Sequence, residues 1–120
     1  MDVTAIFDIG KTNKKFFLFD SEFQEVHRAY SRFEENTDDE GAPCDDLQQL
    51  TAWMKDTFAA ALADPRFTIR RLNFSTYGAS FVHIGKGGQP VTPLYNYLKP
   101  MPGGLLEQFM AKLSSEINCL

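Results

Sequence analysis

Residues 3–20 read VTAIFDIGKTNKKFFLFD, and the fold follows from how this stretch divides. Residues 3–9 are β-branched and aromatic and close on Gly10, the pattern of a buried strand. Residues 14–20, KKFFLFD, form a second strand, and the polar GKTN between them is the turn of a β-hairpin. Ser21 and Glu22 turn the chain again. Residues 25–32 then alternate as a third antiparallel strand, with Val26, Arg28, Tyr30 and Arg32 on its solvated face.

Asp8-Ile9-Gly10-Lys11-Thr12-Asn13 lies where the first strand ends and the second begins. Gly10 lets the backbone approach a phosphate, and the turn N–H groups can converge on the anion as a nest. Thr12 and Asn13 add side-chain donors. Asp8 repels phosphate, so it works through a hydrated Mg²⁺, which keeps several of its waters. Its place inside an apolar strand adds weight, because a buried carboxylate is costly unless paired or metal-bound. A hairpin that uses D-x-G only to turn is the competing reading.

Downstream, the acidic, turn-rich residues 33–43 read as a solvated loop. Asp45 is the expected cap of a helix, with Gln48 at the capping-box position. Leu47, Leu50, Met54, Phe58, Ala61 and Leu62 give that helix one apolar face, and Asp64-Pro65 ends it. Residues 69–75 read as a further strand, with Thr76-Tyr77-Gly78 at its C-terminal end. Residues 80–84 are expected to be another strand before the Gly85–Gly88 turn, and residues 91–98 an extended segment carrying Asn96 between two tyrosines. Leu105, Leu106, Phe109, Met110, Leu113 and Ile117 mark a last helix with an apolar stripe. The resulting βββαβ order predicts an α/β, ribonuclease H-like layer fold whose mixed sheet opens with three antiparallel strands. That sheet leaves little for the last helix to cover, which points to an incomplete domain.

Composition excludes several classes. The 120 residues fit one domain, and a net charge of −4 argues against a nucleic-acid module. Cys44 and Cys119, with His27 and His83, make no zinc pattern and are expected to be free thiols of a reducing compartment. No apolar run reaches the roughly 18 residues of a membrane span, and no leader pattern opens the chain, so a cytoplasmic location is expected.

The hairpin, with D-x-G followed by hydroxyl residues and ending in Leu18-Phe19-Asp20, resembles the first phosphate motif of the actin, heat-shock chaperone and sugar-kinase superfamily. The L-F-D ending is especially like the FGGY carbohydrate kinases. Residues 73–82, NFSTYGASFV, are similar to a sugar-bordering segment of rhamnulokinase-like members, and residues 92–97, TPLYNY, to the segment that follows it. The resemblance implies an actin-like ATPase domain, ATP and Mg²⁺, and transfer of the γ-phosphoryl group to a sugar hydroxyl. It assigns Asp8, Gly10, Lys11, Thr12 and Asn13 to the phosphates, with Asp8 reaching Mg²⁺ through water. Thr76, Tyr77, Gly78 and Asn96 fall to the sugar. Lys11 departs from the usual Thr, and Ser80 stands where relatives carry an Asp that holds a sugar hydroxyl. The family's catalytic Asp, second phosphate motif and adenosine pocket lie beyond residue 120, so the chain is expected to be the N-terminal part of a kinase's first domain and inactive by itself.

Tyr77 and Asn96 each have a plainer reading, as a core-edge aromatic and a turn residue. Two other functions fit parts of this pattern. A non-catalytic truncated or sugar-sensing module keeps the fold without the chemistry. A ribonuclease H-like nuclease needs further carboxylates converging on Asp8, and the fourth strand ends in Ser75-Thr76 instead. The uncovered stripe of the last helix points to a homodimer.

Overall fold

The computed structural model describes the backbone of residues 1–117 and the side chains of 1–114, so Cys119 and the Ile117 side chain lie outside the described residues. The chain builds a four-stranded mixed sheet in which residues 25–32, 13–19, 2–9 and 68–76 lie side by side in that order. Strands β1 (Asp2–Ile9), β2 (Asn13–Phe19) and β3 (Glu25–Arg32) form an antiparallel meander. Helix α1 (Leu47–Ala63) then crosses over, and β6 (Thr68–Thr76) runs parallel to β1. This is the expected βββαβ order.

Alternation along β1 and β2 sorts the side chains. Val3, Ala5, Phe7 and Ile9 join Lys14, Phe16 and Leu18 on the buried face, while Thr4, Ile6, Asp8, Lys15 and Phe17 occupy the more open one. Leu50 and Ala61 of α1 complete the core, with Trp53, Met54 and Phe58 packed at its border. Leu62, expected on the buried stripe, is 59% exposed. At about 100° per residue it points well away from Leu50, whereas Trp53 swings into the contact.

Four other expectations are corrected. Val26 is half-buried against the core instead of facing solvent, because it is the extra residue where the β2·β3 register shifts between Leu18 and Phe19. The acidic loop contains two short paired strands, β4 (Asn36–Thr37) and β5 (Pro43–Cys44), closed by a turn in which Asp38 Oδ1 accepts from Glu40 and Ala42 N–H. Residues 80–84 are not a strand. Only Ile84 bridges to Pro90 across the glycine turn, and His83 is exposed beside Thr92. The helix cap is Asp46, whose side chain accepts from Gln49 N–H, and not Asp45.

Helix α2 (Leu105–Ile117) leaves Leu105, Leu106, Phe109 and Met110 about half exposed. A radius of gyration of 19.4 Å, against about 14 Å for a compact chain of this length, reflects that extension. Among the described residues β6 pairs on one edge only, and Leu72 and Phe74 remain exposed on it. Among the described residues, no helix is long and apolar enough to cross a membrane.

Candidate functional site

The hairpin turn closes through Gly10 N–H donating to Asn13 O at 2.9 Å. A Cβ on Gly10 would sit 2.7 Å from that same oxygen, so the turn itself requires glycine. Gly10→Ala is therefore expected to lower stability by about 1–3 kcal/mol, read as a lower urea midpoint at unchanged slope. An unchanged midpoint would show that the turn relaxes freely. Asn13 is held from the side, its Oδ1 accepting the Tyr30 hydroxyl at 2.6 Å. Thr12 is exposed at the tip.

Asp8 is not buried. Period-two alternation places it opposite Phe7 and Ile9, with a side chain 39% exposed and Lys15 Nζ 3.6 Å from its Oδ2. Part of its charge is thus already balanced, and its burial cannot argue for a metal. Its neighbour on β6 is Ser75, and Ile9 faces Thr76, so the strand-end carboxylate and the Thr76–Gly78 segment lie side by side. No group of three or more His, Cys, Asp or Glu side chains suited to a metal occurs among the described residues. The donor set fits an ion that arrives already bound to phosphates and water, not a preformed protein cage.

The other face of the same strand end joins Lys11 and Tyr77 to Lys14, Asp45 and Glu35, three residues to which the sequence assigns no part in the site. Lys14 is 1% exposed, and its Nζ donates to the Lys11 carbonyl at 2.9 Å and to Asp45 Oδ1 at 3.2 Å. Tyr77 OH donates to Asp45 Oδ2 at 2.5 Å. Lys11 Nζ lies 2.6 Å from Glu35 Oε1 and 3.7 Å from Asp45 Oδ2. Burial works to lower the Lys11 pKa, but the hydrogen bond to Glu35 and the charges of Asp45 and Glu35 outweigh it and leave it raised. Burial, then the bond to Asp45, pushes the Tyr77 phenol far up, so it stays a donor. One signal for Lys14 was present in the sequence: it shares the alternation of Phe16 and Leu18, which marks a lysine on a buried face.

A cleft of about 550 Å³ opens beside the turn, lined by Lys11, Thr12, Arg32, Phe33, Glu34, Glu35, Asp45 and Leu98. Tyr77 is half-buried at the core border, and its ring lies 6.0 Å from Tyr97, which brings the segment around Asn96 to the site. Asn96 Oδ1 accepts Leu98 N–H at 2.9 Å and its carbonyl accepts Lys99 N–H, an ordinary turn arrangement. Gly78 is exposed, with open space where a Cβ would stand. Next to it Ala79 adopts φ 59°, a left-handed conformation disfavoured by about 1–2 kcal/mol for a non-glycine residue. Ser80 Oγ is shielded from solvent and has no hydrogen-bond partner among the described residues.

Residues 95–99 are clamped by the acidic turn. Lys99 Nζ lies 2.7 Å from both Asp38 Oδ2 and Glu40 Oε2, and Tyr95 OH donates to Asp39. The Asp38 carboxyl is held below its ordinary 3.8 by the Lys99 hydrogen bond and by the N–H groups of Ala42 and Glu40, against the opposing effect of desolvation. A depressed carboxyl stabilises the fold above its unfolded pKa, and that contribution is lost as pH falls through the folded value. Acid titration from pH 5 downward is thus expected to loosen residues 95–99, seen as faster amide exchange, before the sheet unfolds. Asp38→Asn should abolish that acid step, and an unchanged step would assign it to another group.

No protein-family model matches the chain, and no curated protein does. Solved structures do. The fold is similar to a carbohydrate kinase from Novosphingobium aromaticivorans, with a TM-score of 0.75 at 20% identity over 90% of this chain and 22% of that one. It is similar to Plasmodium falciparum glycerol kinase with ADP, with a TM-score of 0.75 at 17% identity over 93% of this chain and 23% of that one. Xylulose kinase from Lactobacillus acidophilus gives 0.65 at 15% identity over 80% of this chain and 20% of that one. The chain thus spans about a fifth of the length of the solved structures it matches. Its fold is the ribonuclease H-like, actin-like ATPase fold.

Proposed function

We infer that this chain is the phosphate-gripping part of the first domain of an ATP-dependent carbohydrate kinase, of the FGGY type and nearest the rhamnulokinase-like branch. The observation that carries the reading is the register of β1 and β6, which pairs Asp8 with Ser75 and Ile9 with Thr76 and so brings the start of the Gly10–Asn13 turn next to the C-terminal end of β6. A donor phosphate at the turn and an acceptor hydroxyl at the β6 end would then be neighbours, and phosphoryl transfer depends mainly on such positioning. In this reading Lys11, Thr12 and Asn13 contact the phosphates, while Thr76, Tyr77, Gly78 and Asn96 border the sugar. Mg²⁺, held by Asp8 through water, would supply charge neutralisation at the phosphate oxygens. The nuclease alternative gains no support, since Ser75 is the β6 neighbour of Asp8.

Lys11 is occupied by Glu35 across a half-exposed ion pair. An exposed pair is worth about 0.2–1 kcal/mol, so Glu35→Gln should tighten Mg–pyrophosphate binding by up to about fivefold. Amide shifts of residues 10–13 measure this. Weak pyrophosphate binding that moves those amides, with no ADP formed from ATP and sugars, is the expected result for the 120 residues alone. Turn amides that stay still would overturn the phosphate reading. Tight ATP binding, or any sugar phosphate formed, would overturn the assignment of catalysis to residues outside this chain.

A further inference from the structure

Asp45 stands between the two arms of the site and touches both. Its Oδ1 accepts from Lys14 Nζ, and the same ammonium donates to the Lys11 carbonyl, so the carboxylate holds the turn backbone through one buried cation. Its Oδ2 accepts the Tyr77 hydroxyl and lies 3.7 Å from Lys11 Nζ. Tyr77 is fixed at its other end, where its N–H donates to Ile9 O at 3.2 Å, one residue before the turn. Tyr77, Asp45, Lys14 and Lys11 therefore close a ring of contacts around the end of β1. Asp45 and Lys14 are 9% and 1% exposed, and at such burial an acceptor lost by one partner is not replaced by water.

This arrangement has a consequence for ligand binding. An anion at the turn competes with Glu35 and Asp45 for Lys11. With Lys11 drawn away, the Tyr77 hydroxyl would be the partner left to Asp45 Oδ2. We propose that Asp45 is a positioning residue that couples the phosphate turn to the Tyr77 segment, so that an anion at residues 10–13 is felt at residues 76–78. Conversely, loss of the Tyr77 hydroxyl is felt at the turn. The anion half of this coupling rests on the phosphate reading above, and the ligand-free half does not.

The test uses the whole chain labelled with ¹⁵N, with Tyr77→Phe as the main variant because it removes one hydroxyl and keeps the ring. Without ligand, Tyr77→Phe should shift the amides of Lys11 and Thr12, and a turn spectrum identical to wild type overturns the proposal. With Mg–pyrophosphate, wild-type amides at 76–78 should move with the same midpoint as those at 10–13. In Tyr77→Phe the shift at 76–78 should vanish while the turn still responds, with affinity at least about twofold weaker. A purely structural Asp45 would leave that ligand-induced shift in place. Asp45→Asn, which keeps an acceptor for the phenol but removes the charge, should likewise uncouple the two segments.

The outcomes separate. Turn amides that move while 76–78 stay still in wild type overturn the coupling and leave the phosphate reading standing. Turn amides that never move sink the phosphate reading, and the ligand-free comparison still decides the coupling.

Discussion

Asp45→Ala is expected to destabilise the chain by about 3–5 kcal/mol, because it leaves the buried Lys14 ammonium without its carboxylate. Lys14 is 1% exposed, and among the described residues only the Lys11 carbonyl would remain to it at hydrogen-bond distance. Domains of this kind have about 5–15 kcal/mol in total, so the loss should lower the melting temperature by more than ~10 °C. The double replacement Lys14→Met with Asp45→Asn should recover most of it, since an apolar residue in that place no longer needs a counter-charge. Thermal melts of the two variants side by side check this. A single variant that melts within a degree or two of wild type would mean that water reaches Lys14, and the buried cluster would lose its meaning.

Phe7→Ala is expected to have an effect of similar size for a different reason. The Phe7 ring is 2% exposed and sits 4.7 Å from Phe16, 5.5 Å edge-on from Trp53 and 5.6 Å stacked against Phe74. Truncation removes the buried ring and leaves a cavity that β1, held between two strands, cannot collapse to fill. Such losses cost about 3–5 kcal/mol. Urea denaturation should show a lower midpoint, and Phe7→Leu should cost clearly less because it refills part of the volume. Equal effects of the two changes would show that ring–ring contact, not volume, dominates. Because Phe7 lies beside Asp8 on the strand, the same variant should also broaden the amide signals of the turn.

Much of the fold was legible in local pattern. Runs of apolar and aromatic residues in 3–9 and 14–20 mark two strands, and Gly10 marks the turn between them. The regular spacing of Leu50, Met54, Phe58 and Ala61 marks α1. Errors arose where a local rule had two equally good solutions. Asp45 and Asp46 are both acceptable caps, and sequence alone cannot tell which carboxylate turns to the helix N–H groups and which is drawn to a lysine 31 residues away. The apolar neighbours of Asp8 suggest a buried carboxylate, although alternation places it on the opposite face from Phe7 and Ile9. Residues 80–84 have strand composition but no partner strand to complete a ladder, and isolated extended backbone does not stay paired.

Sequence by itself determined the hairpin, its glycine turn and the crossover helix, because each depends on spacing over fewer than about 20 residues. Tertiary structure alone decided which polar groups meet. Asp45, Lys14 and Tyr77 come from three separate elements, and only their joint burial makes the contacts obligatory. It also decided that Asp8 stands half-open beside Lys15, because which face of a strand is covered depends on where the helix lands.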